Sequence, residues 1–339
     1  MNHGDDGEAG EGAGLVNARI SGENSRTYRV PPAVRRALRS AGRHAGAVAV
    51  ALPGGVRVKR HTPGPDNVGE PIPGGRGEVC GFSPDSRRRM IQRLMAIDWA
   101  AGPVYFLTLT WHEGYGSDWR NWKRDLAAWR KRLQYTYGDQ LRGAIWRMEL
   151  QQRKSGLHAG EVAPHFHVAL FWNVEPDLAS FRQWVSASWH AVADPTSAAH
   201  AKACSQVLRA RNTSGREMGR LLGYLSKYMG KLQRWRMVNP ETGEVLGTGR
   251  VWGMWGDPPM RIVATVSMGQ GAYGEFLKRV NAKGEGVGSW YLSNVSDQWS
   301  GFSIMGDGGE LAAELFDGLD VEITSGALPE LGGGDKVPK

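Results

Sequence analysis

Pro164-His165-Phe166-His167-Val168-Ala169-Leu170-Phe171-Trp172 reads as a β-strand, since aromatic and β-branched residues fill it and nothing breaks it before Asn173. Side chains two apart on a strand point to one face, so His165 and His167 project together while Phe166 goes to the other side. Two imidazoles on one rigid face begin a divalent-metal site. A bare His-x-His is also an ordinary pair of polar positions on a half-exposed strand, so the reading depends on what accompanies it.

A second strand-like run lies upstream, Ala144-Ile145-Trp146-Arg147-Met148-Glu149-Leu150-Gln151. The polar stretch from Gln152 to Ala163 would let the two strands pair antiparallel. Glu149 is then the leading third ligand, with Gln151 and His158 as alternatives. Arg153 and Lys154, at the start of that turn, are candidates for contact with DNA phosphates.

Downstream, Tyr224-Leu225-Ser226-Lys227-Tyr228-Met229-Gly230-Lys231 repeats a Tyr-x-x-Lys unit. On a helix, Tyr224, Lys227, Tyr228 and Lys231 share one face. Lysines that snorkel over packed tyrosine rings would give the same pattern without chemistry. A phenol, with a pKa of about 10, is a weak nucleophile at neutral pH. A divalent cation on a phosphate and a nearby ammonium both favour its attack. The residues thus suit tyrosine-dependent cleavage of single-stranded DNA, with Tyr224 and Tyr228 as nucleophiles and Lys227 and Lys231 in support. The second tyrosine could attack a newly made copy of the site, which permits successive cleavage and rejoining.

At these residues the chain resembles the HUH endonuclease superfamily, most closely the rolling-circle replication initiators of bacterial plasmids and single-stranded DNA phages. Phe106-Leu107-Thr108-Leu109-Thr110 resembles the first motif strand of that family. Glu149 with His165-Phe166-His167 resembles the second, and the doubled tyrosine the third. The likeness runs from about Val104 to Trp235 with the motifs in the family's order, although a loop through His158-Ala159-Gly160-Glu161 replaces the short Arg-Gly turn of related initiators. The resemblance implies a nick at an origin, a 5′-phosphotyrosine intermediate, a free 3′-hydroxyl for rolling-circle replication, and Mg²⁺ or Mn²⁺ as cofactor. It also implies a central five-stranded antiparallel sheet with the metal ligands on its central strands and the tyrosine helix across that face. Two other roles share the scaffold: a transposase or relaxase of the same superfamily, and a non-catalytic DNA-binding repressor.

Composition agrees with a nucleic-acid partner. The net charge is +8, and residues 81–240 carry 24 Lys and Arg against 12 Asp and Glu, whereas residues 301–339 carry 2 against 8. Of the 14 tryptophans, Trp122 and Trp129 fall at helical spacing with Leu126 and Leu133 and belong to a core. Trp111, just after the first motif strand, is the better candidate for stacking on an unpaired base. Cys80 and Cys204 stand far apart, which argues against a disulfide framework and fits a reducing bacterial cytoplasm. No signal peptide or membrane-length apolar run is evident, so no membrane partner is expected.

The expected fold class is α+β, an antiparallel sheet flanked by helices. Strands are read at 104–110, 142–151, 164–172 and about 203–210, with helices at 117–135, 177–192 and 216–234. Residues 1–80 read as a Gly/Pro-rich basic extension, partly disordered, with a short helix near Val30–Arg39, a hairpin across Pro53-Gly54-Gly55 and a linker from Pro63 to Gly81. A further helix runs from Ser86 to about Trp99. Residues 81–240 form the endonuclease domain, 241–300 an accessory β-rich segment, and 301–339 an acidic flexible tail. No Gly-x-x-x-x-Gly-Lys-Ser/Thr run occurs, so a host helicase as well as a host DNA polymerase is implied.

Overall fold

The computed structural model describes residues 46–60, 81–112, 119–153, 162–210, 237–238, 245–246, 249–285, 291–293, 301–305 and 308–327. In chain order its elements begin with β1 (Gly46–Leu52), β2 (Gly55–Arg60), α1 (Pro84–Ala96), β3 (Val104–Thr110), α2 (Trp119–Tyr137), β4 (Leu141–Gln152) and β5 (Val162–Trp172). There follow α3 (Leu178–Ala193), α4 (Ala198–Ala203), β6 (Ser205–Arg209), β7 (Met237–Val238), β8 (Val245–Leu246), β9 (Trp252–Gly256) and β10 (Ala264–Gly269). The last are α5 (Gln270–Glu285), β11 (Tyr291–Ser293), β12 (Gly301–Met305), α6 (Gly308–Phe316) and β13 (Val321–Gly326). The Val30–Arg39 helix, the linker from Pro63 to Cys80 and the tyrosine helix at 216–234 lie outside the described residues.

The fold is α+β, and the expected five-stranded antiparallel sheet is present, in the order β6-β3-β5-β4-β9. The burial of β3 alternates along the strand, with Tyr105, Leu107 and Leu109 buried and Phe106, Thr108 and Thr110 half-buried. One face is therefore closed and the other partly open. α2 and α3 cover the closed face. Trp122, Leu126, Trp129 and Leu133 of α2 recur at helical spacing and are all buried, as the spacing predicts. Phe181, Val185 and Trp189 line the inner side of α3. The indole N–H of Trp129 donates to Ser188 Oγ at 3.0 Å and that of Trp189 to the Thr110 carbonyl at 2.8 Å, so these rings are buried with their donors satisfied.

α1 lies over part of the other face. Ser83 caps it, accepting from the Ser86 N–H at 3.2 Å, with proline in the first turn. Trp99, just beyond α1, packs on Phe106 and Phe171 with ring centroids 6.1 and 5.3 Å apart. Trp252 of β9 donates its indole N–H to Ser86 Oγ at 2.8 Å.

A second sheet has the order β11-β12-β2-β1-β10-β13. Its hairpin, β1 with β2, is the one expected across Pro53-Gly54-Gly55, but it is not an isolated appendage. β1 pairs with β10 and β2 with β12, strands more than 200 residues further along the chain. In place of the flexible tail that its acidity suggested, 301–326 contributes β12, α6 and β13. Alanines at 47, 49 and 51 and valines at 56 and 58 face Phe276, Leu315 and Phe316, and that apolar burial outweighs the negative charge as a determinant of order. The β-rich segment at 241–300 is divided between the sheets: β9 joins the first, and β10 and β11 the second. Backbone hydrogen bonds connect the two, Gly54 N–H to Met95 O at 2.8 Å and Val263 N–H to Ala51 O at 2.8 Å, beside an Arg261–Asp98 ion pair.

Candidate active site

The register of β4, β5 and β3 builds the site. Residues directly opposite one another on antiparallel strands share a face. Glu149 pairs with His165 and Arg147 with His167 across β4 and β5. On the other side of β5, Thr110 pairs with His165 and Thr108 with His167. The two histidines thus sit on the central strand, with Glu149 and Arg147 on one flank and the two threonines on the other. All six lie on the face that α2 and α3 leave uncovered.

His167 is held at both ring nitrogens. Its Nε2 lies 2.9 Å from Glu149 Oε2, and its Nδ1 3.3 Å from Thr108 Oγ1. The histidine side chain is 21% exposed and the carboxylate 8%. A neutral ring can donate from Nε2 to the carboxylate while accepting the threonine hydroxyl at Nδ1. It can equally donate from Nδ1 to Thr108 and leave the Nε2 lone pair for another partner.

Burial is the main reason that His165 titrates low, at about 4, and the neighbouring His167 adds to it while Glu149 opposes it. His165 is therefore a neutral imidazole at physiological pH, which is the form that ligates metals. Arg147 is wholly buried, its guanidinium 4.6 Å from the centre of the Phe82 ring. Desolvation pushes its pKa down to about 10, and the charge of Glu149 pulls the other way.

The donor set of two imidazoles and one carboxylate suits a divalent ion. Among the described residues no group of three His, Cys, Asp or Glu side chains is closed around one point, because Glu149 is turned onto His167. Separating that pair and adopting the Nδ1–H tautomer would turn His165, His167 and Glu149 toward a common centre. Thr108 would remain the partner that orients His167, as partners behind metal ligands commonly do.

Other expectations meet the structure differently. Trp111 is 1% exposed and cannot stack on a base. It continues the alternation of β3 past Thr110, which turns it to the closed face, edge-on to Trp189 at 4.7 Å and tilted against Phe166 at 5.6 Å. Arg153 is half-buried and donates from Nη2 to the carbonyls of Trp111 (2.7 Å) and His112, so it ties the end of β4 to the end of β3 instead of offering a free cation to phosphate. Gln151 is exposed near the end of β4, away from the closed contact of Glu149 with His167. His158, Lys154, Tyr224, Lys227, Tyr228 and Lys231 lie outside the described residues. Thr108 and Arg147 are members of the site that the sequence reading missed. The period of two that placed His165 with His167 would have found both, once the register between strands was known.

No helix among the described residues is long and apolar enough to cross a membrane. No curated protein and no solved structure matches the chain. Residues 104–233, well under half of the chain, match the family model described as Replication-associated protein ORF2. That span runs from the first residue of β3 through the histidine strand and past the tyrosine pair, and the match supports a replication initiator that binds DNA.

Proposed function

We propose that this protein is a replication-initiation endonuclease that nicks single-stranded origin DNA through a tyrosine. The observation that carries the reading is the strand register, which gathers His165, His167 and Glu149 on one face of the central strands. The match to a replication-associated family over the same region supports it from an independent direction.

In this reading His165, His167 and Glu149 hold Mg²⁺ or Mn²⁺, which when bound withdraws electron density from the scissile phosphate. Thr108 fixes the ring of His167, and burial keeps His165 neutral. Tyr224 or Tyr228 gives up its phenolic proton and its oxygen bonds to phosphorus. The bond from phosphorus to the 3′-oxygen breaks, and that oxygen takes a proton to become the 3′-hydroxyl that primes synthesis by a host polymerase. Lys227 and Lys231, one turn along the same helix face, favour the phenolate and offset charge on the phosphate. Repetition of the step by the other tyrosine rejoins strands. Unwinding falls to a host helicase.

The test is to trap the covalent adduct. Labelled single-stranded DNA covering the flanks of the gene is incubated with the protein and Mn²⁺ and run on a denaturing gel. A protein-linked label that disappears with chelator and in the Tyr224→Phe/Tyr228→Phe double variant is the expected result, and the single variants rank the tyrosines. Tight binding without any adduct, on DNA shown to contain the origin, would sink the nickase and leave a DNA-binding repressor.

A further inference from the structure

Three histidines outside the site described above come together where α3, α4 and the end of β3 meet. His112 follows Trp111 at the end of β3, His190 lies in the last turn of α3, and His200 is in α4. The ring of His200 is 5.7 Å from that of His190 and 6.2 Å from that of His112, centre to centre. His200 is 0% exposed, and neither of its ring nitrogens has a hydrogen-bond partner among the described residues. The Nδ1 of His112 is likewise buried and unpartnered. A buried polar atom without a partner costs about 1–3 kcal/mol, so this arrangement calls for a ligand.

The geometry suits a small cation. Ring nitrogens bind zinc at about 2.0–2.1 Å, which puts two ligand rings roughly 5–6.4 Å apart, centre to centre. Both observed separations fall in that range. His190 is prepared in the way metal-binding histidines usually are: its Nε2 lies 3.2 Å from the Ser197 carbonyl, and donating there leaves Nδ1 as the ligating atom. Ser197 also caps α4 by accepting the His200 N–H at 3.1 Å, so one residue positions both rings. Asp194 supplies negative charge to His200 and is itself held by the Thr196 hydroxyl at 3.1 Å. As they stand, the described rings do not aim three donor atoms at one point, and rotation about their Cβ–Cγ bonds is what closing on an ion requires.

We propose that His112, His190 and His200 form a second metal site, for a transition-metal ion of the zinc class, that ties the α3–α4 corner to the end of β3. An all-imidazole donor set favours such ions over Mg²⁺, so this site and the proposed active site would hold different metals. The end of β3 is also where Arg153 anchors β4, so the ion would stiffen the border of the His165/His167 face.

The experiment uses the full chain, stripped of metal with chelator and titrated with Co²⁺ as a spectroscopic probe, with Zn²⁺ as competitor. Its readout is the ligand-field absorption band, which needs neither DNA nor activity. One Co²⁺ per chain is expected in a band that survives the His165→Ala/His167→Ala double substitution. Affinity should fall by roughly 100-fold or more in His112→Gln and in His200→Asn. His112 is only half-buried, so His112→Gln carries the test if His200→Asn fails to fold. The proposal is overturned if no band forms, if both variants keep it, or if only the His165/His167 substitution removes it. A bridging water in place of the metal would give the first of these outcomes. The adduct assay can fail or succeed without affecting this result.

Discussion

The two sheets obey the same alternation and use it for different ends. In the second sheet, every other residue of β1 is an alanine, and the small side chains let α5 and α6 pack close above Val56, Val58, Val266 and Ile304. The half-buried positions between them, Val48 and Val50, carry no groups for chemistry. In the first sheet the closed face is also apolar, but the half-buried positions are Thr108, Thr110, His165 and His167, beside Glu149 and Arg147. The period of two thus states where a face lies, and the residue types on the less buried face state whether it is scaffold or site.

The largest expected effect comes from removing the chemistry without touching the scaffold. His167→Ala should reduce adduct formation by at least about 100-fold while circular dichroism and the thermal midpoint change little, since losing even an outer-shell partner of a metal costs about 10–100-fold. An unchanged adduct yield would mean that the polar face of the first sheet is not the site. The converse is Phe276→Ala in the second sheet. Phe276 is fully buried and stacked on Phe316, with centroids 5.2 Å apart, so truncation should cost about 3–5 kcal/mol in urea unfolding. Adduct yield per folded molecule should be unaffected, and a parallel loss of both would show that the sheets are functionally coupled.

A smaller change should follow Thr108→Val, which keeps the shape and removes the hydroxyl beside His167 Nδ1. About a tenfold loss of Mn²⁺ affinity, measured by titrating adduct yield against metal, is expected. Equal affinity would remove Thr108 from the site. The smallest effect concerns Lys123 on α2, whose pKa burial lowers to about 8, with Arg250 contributing. A folded-state value below that of the unfolded chain means that the unfolded state binds more protons between about pH 8 and 10.5. Stability from this group therefore rises with pH across that window, and the penalty is full below it. Lys123→Met should stabilise the protein by about 1–2 kcal/mol at pH 7, and the gain should vanish above about pH 10.5. Urea midpoints at the two pH values check the sign.

Much of the first sheet is readable from pattern. The strand at 104–110 is placed to the residue, and those at 142–151 and 164–172 to within two, because alternation with aromatic and β-branched residues is a local property. The apolar stripe of α2 is equally plain. Trp111 escapes a correct reading for a reason the same rule contains: one residue past Thr110, it has to turn to the closed face. The order of 301–326 is hidden because its partners, β2 and β10, lie elsewhere in the chain, and local acidity says nothing about distant apolar burial.

The amino-acid sequence by itself determined which residues alternate, where helices are amphipathic, and that two imidazoles share one strand face, since each depends only on near neighbours and backbone period. Only the tertiary structure decided that Glu149 stands opposite His165, that Thr108 stands behind His167, and that three histidines from separate elements meet at His200. Those facts depend on strand register and helix docking. They are set by the packing of apolar side chains far apart in the chain, and no local pattern records them.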